Sequence, residues 1–183
     1  MIEQHSTEPF AIEVPTQAIR IDCYVRPKQS PALLKQTESV CNRLERLDAA
    51  GILEDFEVKQ WPPAQQLPGE TESAGTTRSA IIEDFEDWAR ENGFSLQPAF
   101  ERTTVSPSPF GFDQAREHIR VPQIALALSE PATDELYGVL PCREEPGETQ
   151  SQVYTVTQWL DALEAFLDSM PEWNSEESLQ SVH

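Results

Sequence analysis

The sequence predicts an α+β fold: a two-layer, ferredoxin-like sandwich with helices on one face of a mixed sheet of about five strands. Two observations carry this. Runs with a hydrophobic period of two alternate with runs of helical period, in the order β-α-β-α-β-β-β-α. The opening strand, helix and strand, between Ala18 and Trp61, also have the length of a right-handed crossover within one sheet.

In the first strand Ile19, Ile21, Cys23 and Val25 alternate with Arg20, Asp22, Tyr24 and Arg26, as expected of a half-buried strand. After Pro27 to Pro31, Leu33, Leu34, Cys41, Leu44 and Leu47 mark a helix that Ala49-Ala50-Gly51 stops. Phe56 and Val58 alternate with Glu57 and Lys59 until Trp61-Pro62-Pro63 ends the second strand. A polar loop from Pro62 to Thr77 leads to a helix with Ile81, Ile82, Phe85, Trp88 and Ala89 on one stripe, stopped at Asn92-Gly93. A strand is expected over Ser95 to Thr104, at an edge or starting after Pro98. Val105 to Pro122 holds three prolines and a glycine and reads as an irregular loop. Gln123 to Leu128 reads as a central strand, paired as a hairpin with Leu136 to Leu140 across the turn at Pro131 to Asp134. Pro141 to Ser151 is a polar loop, and Thr155 to Gln158 forms a capping box for a last helix with Trp159, Leu160, Leu163, Phe166, Leu167 and Met170 inward. The domain is therefore expected at 18–170, between a flexible arm at 1–17 and a flexible acidic tail at 171–183.

Charge narrows the class of protein. Thirty-two acidic residues face thirteen basic ones, for a formal charge of −19. Periodic segments and four tryptophans exclude a disordered acidic chain. Acidic residues spread over most elements, which fits a halophilic surface whose repulsion is screened within about 3 Å at molar salt. A charge mimic of DNA is the competing reading. The three cysteines, with no CxxC, read as buried thiols in a reducing compartment. With no apolar run in Met1 to Thr16 and none of membrane-spanning length, the expected location is cytoplasmic, away from membranes.

The chemical motifs of common enzymes are missing. There is no GxxxxGK[ST], GxGxxG or GxSxG, so nucleotide hydrolysis and dinucleotide redox chemistry are not expected. The three histidines, His5, His118 and His183, have no ligand spacing to a cysteine, so no metal or other cofactor is expected. A Cys142–His118 nucleophile would need the two to meet in space, and a structural thiol is the simpler reading. The carboxylate pairs Glu83-Asp84 and Glu86-Asp87 fall on an outward helix face, where they solvate the surface. The chain is therefore expected not to be an enzyme.

Two groupings remain. Lys35, Ser39, Asn42, Arg43 and Arg46 share one face of the first helix, flanked by Glu38 and Glu45, and form a docking face for a protein partner, a second copy or DNA, or else a solvated face. Arg102, Arg116, His118, Arg120 and Arg143 form an anion site if the loops converge, or pair with nearby carboxylates. The segment Ala18–Trp61 has seven basic and seven acidic residues, so the net charge lies outside it.

The stretches IDCYVRP, VCNRLERLDAAG, DFEVKQWP, FEDWARENGFSLQPAFE, LALSEPATDELYGVLPC and YTVTQWLDALE resemble, in that order, a family of small acidic haloarchaeal proteins labelled as helix-turn-helix proteins of unassigned role. The resemblance implies a cytosolic, salt-adapted protein with a regulatory role. A strand after the first helix and an acidic second helix argue against a simple helix-turn-helix unit. The leading expectation is a non-enzymatic regulatory or interaction module sensing a small anionic ligand and acting through a protein partner or as a homodimer. The alternative is a transcriptional regulator touching DNA, the nucleic-acid partner, through the first helix.

Overall fold

Residues 19–64, 76–105, 116–145 and 151–169 are described in the computed structural model. The expected arm at 1–17, the tail at 171–183 and much of the proline-rich loops lie outside the described residues. β1 (Ile19–Val25) leads through α1 (Pro31–Ala49) to β2 (Leu53–Gln60) and α2 (Arg78–Asn92). Then come β3 (Phe94–Ser95), β4 (Glu101–Val105), β5 (Arg116–Arg120), β6 (Ile124–Ser129) and β7 (Leu136–Leu140). β8 (Cys142–Glu144), β9 (Val153–Tyr154) and α3 (Val156–Asp168) complete the described elements.

The class is α+β, with a mixed sheet and three helices among the described residues. The central sheet runs β2-β1-β6-β7, parallel between β1 and β2 and antiparallel elsewhere. A ferredoxin-like sandwich splits its βαβ unit with another strand; here β1 and β2 are direct neighbours. The remaining strands form a ribbon, β4-β5, and a small sheet, β3-β8-β9.

Local sequence explains the helix ends. Ser30 caps α1, with Pro31 at a position where a missing N–H costs nothing. Its C-terminus closes through Gly51, at φ 74°, with Gly51 N–H donating to Asp48 O and Ile52 N–H to Leu47 O. Thr77 caps α2, and Gly93, also at φ 74°, ends it. The capping box of Thr155 and Gln158 starts α3 as the sequence predicts.

The layers differ from the expected single helical face. Alternation puts Cys23 and Tyr24 on opposite faces of β1. Cys23 faces Cys41 of α1, near enough to raise its pKa, whereas Tyr24 packs edge-on against Phe85 of α2, with centroids 5.8 Å apart. α1 and α2 therefore cover opposite faces. Arg43 ties α3 to α1, donating to Asp161 at 2.6 Å and to Glu164 at 2.9 Å. The other end of the Tyr24 face stays polar: Asp22 accepts from Lys59 at 2.9 Å, and Arg20 donates to Asp134 at 2.8 Å.

Two strands lie where loops are expected, β5 in part of Val105–Pro122 and β8 at the start of Pro141–Ser151, and β9 follows just after that second loop. The single predicted strand over Ser95–Thr104 is two, β3 and β4, broken at Pro98, which has no N–H to donate.

β7 approaches β6 closely at Gly138. A Cβ there would lie 2.8 Å from Leu128 Cδ1 and 3.3 Å from Leu128 Cβ. Leu128 is fully buried and has nowhere to retreat. Gly138→Ala is expected to destabilise the fold by about 1–3 kcal/mol. Urea unfolding measures this, and an unchanged midpoint would contradict it.

Candidate functional site

Two of the five residues expected at an anion site come together. In β5, His118 and Arg120 lie on one face, opposite Thr103 and Glu101 of β4. Arg116 opens β5 in register with Val105. Arg102 pairs with Ile119 and so belongs to the other face of the ribbon. There it donates to both oxygens of Glu86, at 3.1 and 3.0 Å, and to Glu117 at 2.9 Å. These carboxylates, Glu86 first, raise its guanidinium pKa further above its usual range. Arg143 lies in another sheet, between Ser95 of β3 and Val153 of β9. The strand register thus separates residues that simple loop convergence would have gathered.

His118 and Arg120 instead meet three cations from elsewhere. Arg26, Lys28, Arg78, His118 and Arg120 line a cavity of about 410 Å³, with Pro27, Ile119 and Val121 supplying apolar wall. Arg26 and Lys28 follow the end of β1, and Arg78 is the first residue of α2.

Backbone carbonyls hold the two inner arginines. Arg26 donates from Nε to Val121 O at 3.0 Å and also from Nη2 to the same oxygen. Arg78 donates from Nε to Pro62 O at 2.7 Å and from Nη1 to Ile119 O at 3.2 Å. The cavity is thereby built from the β1 exit, the residues after β2, the start of α2 and the end of β5. Burial lowers the pKa of Arg78, and the positive charge of Arg26 lowers it further.

Most of the described cations outside the cavity are paired, Lys35 and Arg143 being exceptions. Arg20, Arg43, Arg46, Lys59, Arg90 and Arg102 all pair with carboxylates. Among the described residues no carboxylate lies within 4.0 Å of the charged groups of Arg26, Lys28, Arg78 or Arg120. Arginine and lysine donate hydrogen bonds and accept none, so the cavity is complementary to an acceptor carrying negative charge.

Arg26 and Lys28 lie far along the chain from Arg78, and all three from β5, so no local pattern in the sequence groups them. One signal was legible: Arg78 starts α2, an end where acidic side chains are favoured, and that first turn holds no acid.

On α1, Lys35, Ser39 and Asn42 are exposed. Arg43 is engaged by Asp161 and Glu164, and Arg46 contacts Glu164 at 3.5 Å, so α3 carboxylates answer both arginines of that face. Cys142 lies in β8 and His118 in β5, strands of different sheets. Burial and the nearby Glu144 push the Cys142 thiol up to about 12, which keeps it protonated near neutrality. No described helix is long and apolar enough to cross a membrane.

A family model described as a helix-turn-helix domain matches residues 13–166. No curated protein and no solved structure matches the chain. Among the described residues no two helices are joined by a short turn, since β2 separates α1 from α2 and β3 to β9 separate α2 from α3. The match nevertheless spans both sides of the cavity and all three helices, and the chain belongs to this helix-turn-helix domain family.

Proposed function

We propose that this family member is a non-enzymatic, cytosolic regulatory module, adapted to concentrated salt, whose contacts with a protein partner or a second copy respond to a small anion in the basic cavity. The observation that carries the reading is the convergence of Arg26, Lys28, Arg78 and Arg120 on one cavity, with no carboxylate within 4.0 Å of their charged groups among the described residues. In a chain of formal charge −19, such a cluster opposes the prevailing surface charge.

Calorimetric titration with phosphate, sulfate and citrate, at low and at molar KCl, tests the proposal. Saturable binding of at least one anion is expected, weakened about tenfold or more in Arg26→Gln and Arg78→Gln. No saturable binding to the folded protein would overturn it.

The family match favours a second reading, a transcriptional regulator that binds DNA. Engagement of Arg43 and Arg46 by α3 leaves Lys35 as the uncommitted cation of the α1 face. Fluorescence anisotropy with duplex DNA across a salt series tests this reading, since phosphate contacts make affinity fall steeply with salt. A flat signal at low salt would exclude it.

A further inference from the structure

We propose that the anion is the phosphoryl group of a small phosphomonoester, held between Arg26 and Arg78 at the N-terminus of α2. This rests on the reading of the cavity as an anion site and specifies the chemistry of its occupant.

Charge makes the first argument. Arg78 occupies the first position of α2, where the helix dipole is positive, and the first turn contains no acidic residue. It is half-buried, and Arg26 is close enough to lower its pKa further. A half-buried cation, a second cation and a positive helix end thus share one corner, with no carboxylate within 4.0 Å of either guanidinium among the described residues. A phosphomonoester near neutrality carries up to two negative charges, whereas a monocarboxylate or a phosphodiester carries one. The dianion better matches the paired guanidiniums.

Donor geometry makes the second. Arg26 uses Nε and Nη2 on Val121 O, leaving Nη1 without an acceptor among the described residues. Arg78 uses Nε and Nη1 on Pro62 and Ile119 carbonyls, leaving Nη2. Both side chains are anchored before a ligand arrives, so their remaining donors are already ordered. These donors, beside the positive end of the α2 dipole, suit an acceptor with three terminal oxygens.

Volume makes the third. The cavity of about 410 Å³ exceeds what one phosphate ion fills, and its Pro27, Ile119 and Val121 walls offer apolar contact to an organic body. Lys28 and Arg120 stand at the exposed part of the lining.

Calorimetry on the full chain with phenyl phosphate, inorganic phosphate and phthalate tests the inference. Phenyl phosphate is expected to bind about tenfold or more tightly than either other probe. Phthalate binding as tightly as phenyl phosphate would overturn the phosphoryl assignment while leaving an anion site intact. Inorganic phosphate binding as tightly would overturn the organic body. Failure of every probe, with phosphate, sulfate and citrate also silent, would overturn both this inference and the reading beneath it. The double variant Lys28→Gln/Arg120→Gln removes exposed charges without touching the carbonyl anchors. It is expected to weaken phenyl phosphate about threefold or more with an unchanged melting temperature. Unchanged affinity in that variant would place the binding site elsewhere and overturn the proposal.

Discussion

Trp61→Ala is expected to lower the unfolding free energy by about 3–5 kcal/mol, the usual cost of emptying a large aromatic position in a core. Trp61 is 2% exposed and stacks on Tyr24 with centroids 4.6 Å apart. It also meets Phe85 and Phe100 edge-on, at 6.3 and 6.1 Å, and those two rings meet each other at 6.2 Å. The substitution would therefore open one void shared by β1, α2 and the segment before β4. Since domains of this kind are stable by only about 5–15 kcal/mol, a large part of the folded state's margin would go. Urea unfolding reads the loss, and a change below about 1 kcal/mol would contradict this account.

The same residue connects core and cavity. Its backbone N–H donates to Val25 O at 2.9 Å, fixing the chain just before Pro62 offers its carbonyl to Arg78. Trp61→Ala keeps that N–H but removes the ring packed beneath this segment, and is also expected to weaken phosphoryl binding by loosening the chain before Pro62. Lys28→Gln/Arg120→Gln should weaken binding without loss of stability, so the two variants separate core support from direct contact.

Alkaline pH is expected to unfold the protein through its buried thiols. Burial and then the nearby Cys41 thiol push Cys23 from 9.0 up to about 12. Burial and the charge of Glu144 push Cys142 to about 12 as well, and burial raises Tyr137 above its usual range. Each folded-state pKa lies above its unfolded value, so between these values the folded chain retains protons that the unfolded chain has released. Stability from these groups is fully present below pH 9 and falls as pH rises through 12. The loss is on the order of 4 kcal/mol for each fully titrated thiol. Urea unfolding at a series of pH values measures the slope, which should be shallower in Cys23→Ala/Cys142→Ala than in the parent. Identical slopes would exclude the thiols as the cause.

Legibility in the sequence followed the strength of local pattern. β1, α1 and β2 were readable because alternation, helical spacing and the Gly51 stop agree over adjacent residues. The β6–β7 hairpin was readable from two apolar runs about a short turn. β5 was not, because Ile119 is its sole apolar residue and its pairing energy comes from the partner strand β4. β8 and β9 span three and two residues, too few for any periodicity to emerge. The opposite placement of α2 was hidden because Tyr24 is the single large apolar residue on that face of β1, after charged Arg20 and Asp22.

The proposed site divides along the same line. The spacing of His118 and Arg120 was legible in the sequence, and their sharing a face followed once the structure made that stretch a strand, which sends every second side chain the same way. The acidic composition, the helix caps and the opening βαβ unit were likewise local properties of the chain. Tertiary structure decided which cations meet: β4–β5 pairing turned Arg102 toward Glu86, α3 engaged Arg43 and Arg46, and packing at the sheet end brought Arg26, Lys28 and Arg78 beside His118 and Arg120. Charges act through distance in space, and among residues as separated as Arg26, Arg78 and Arg120 that distance is set by strand register and the packing of α2.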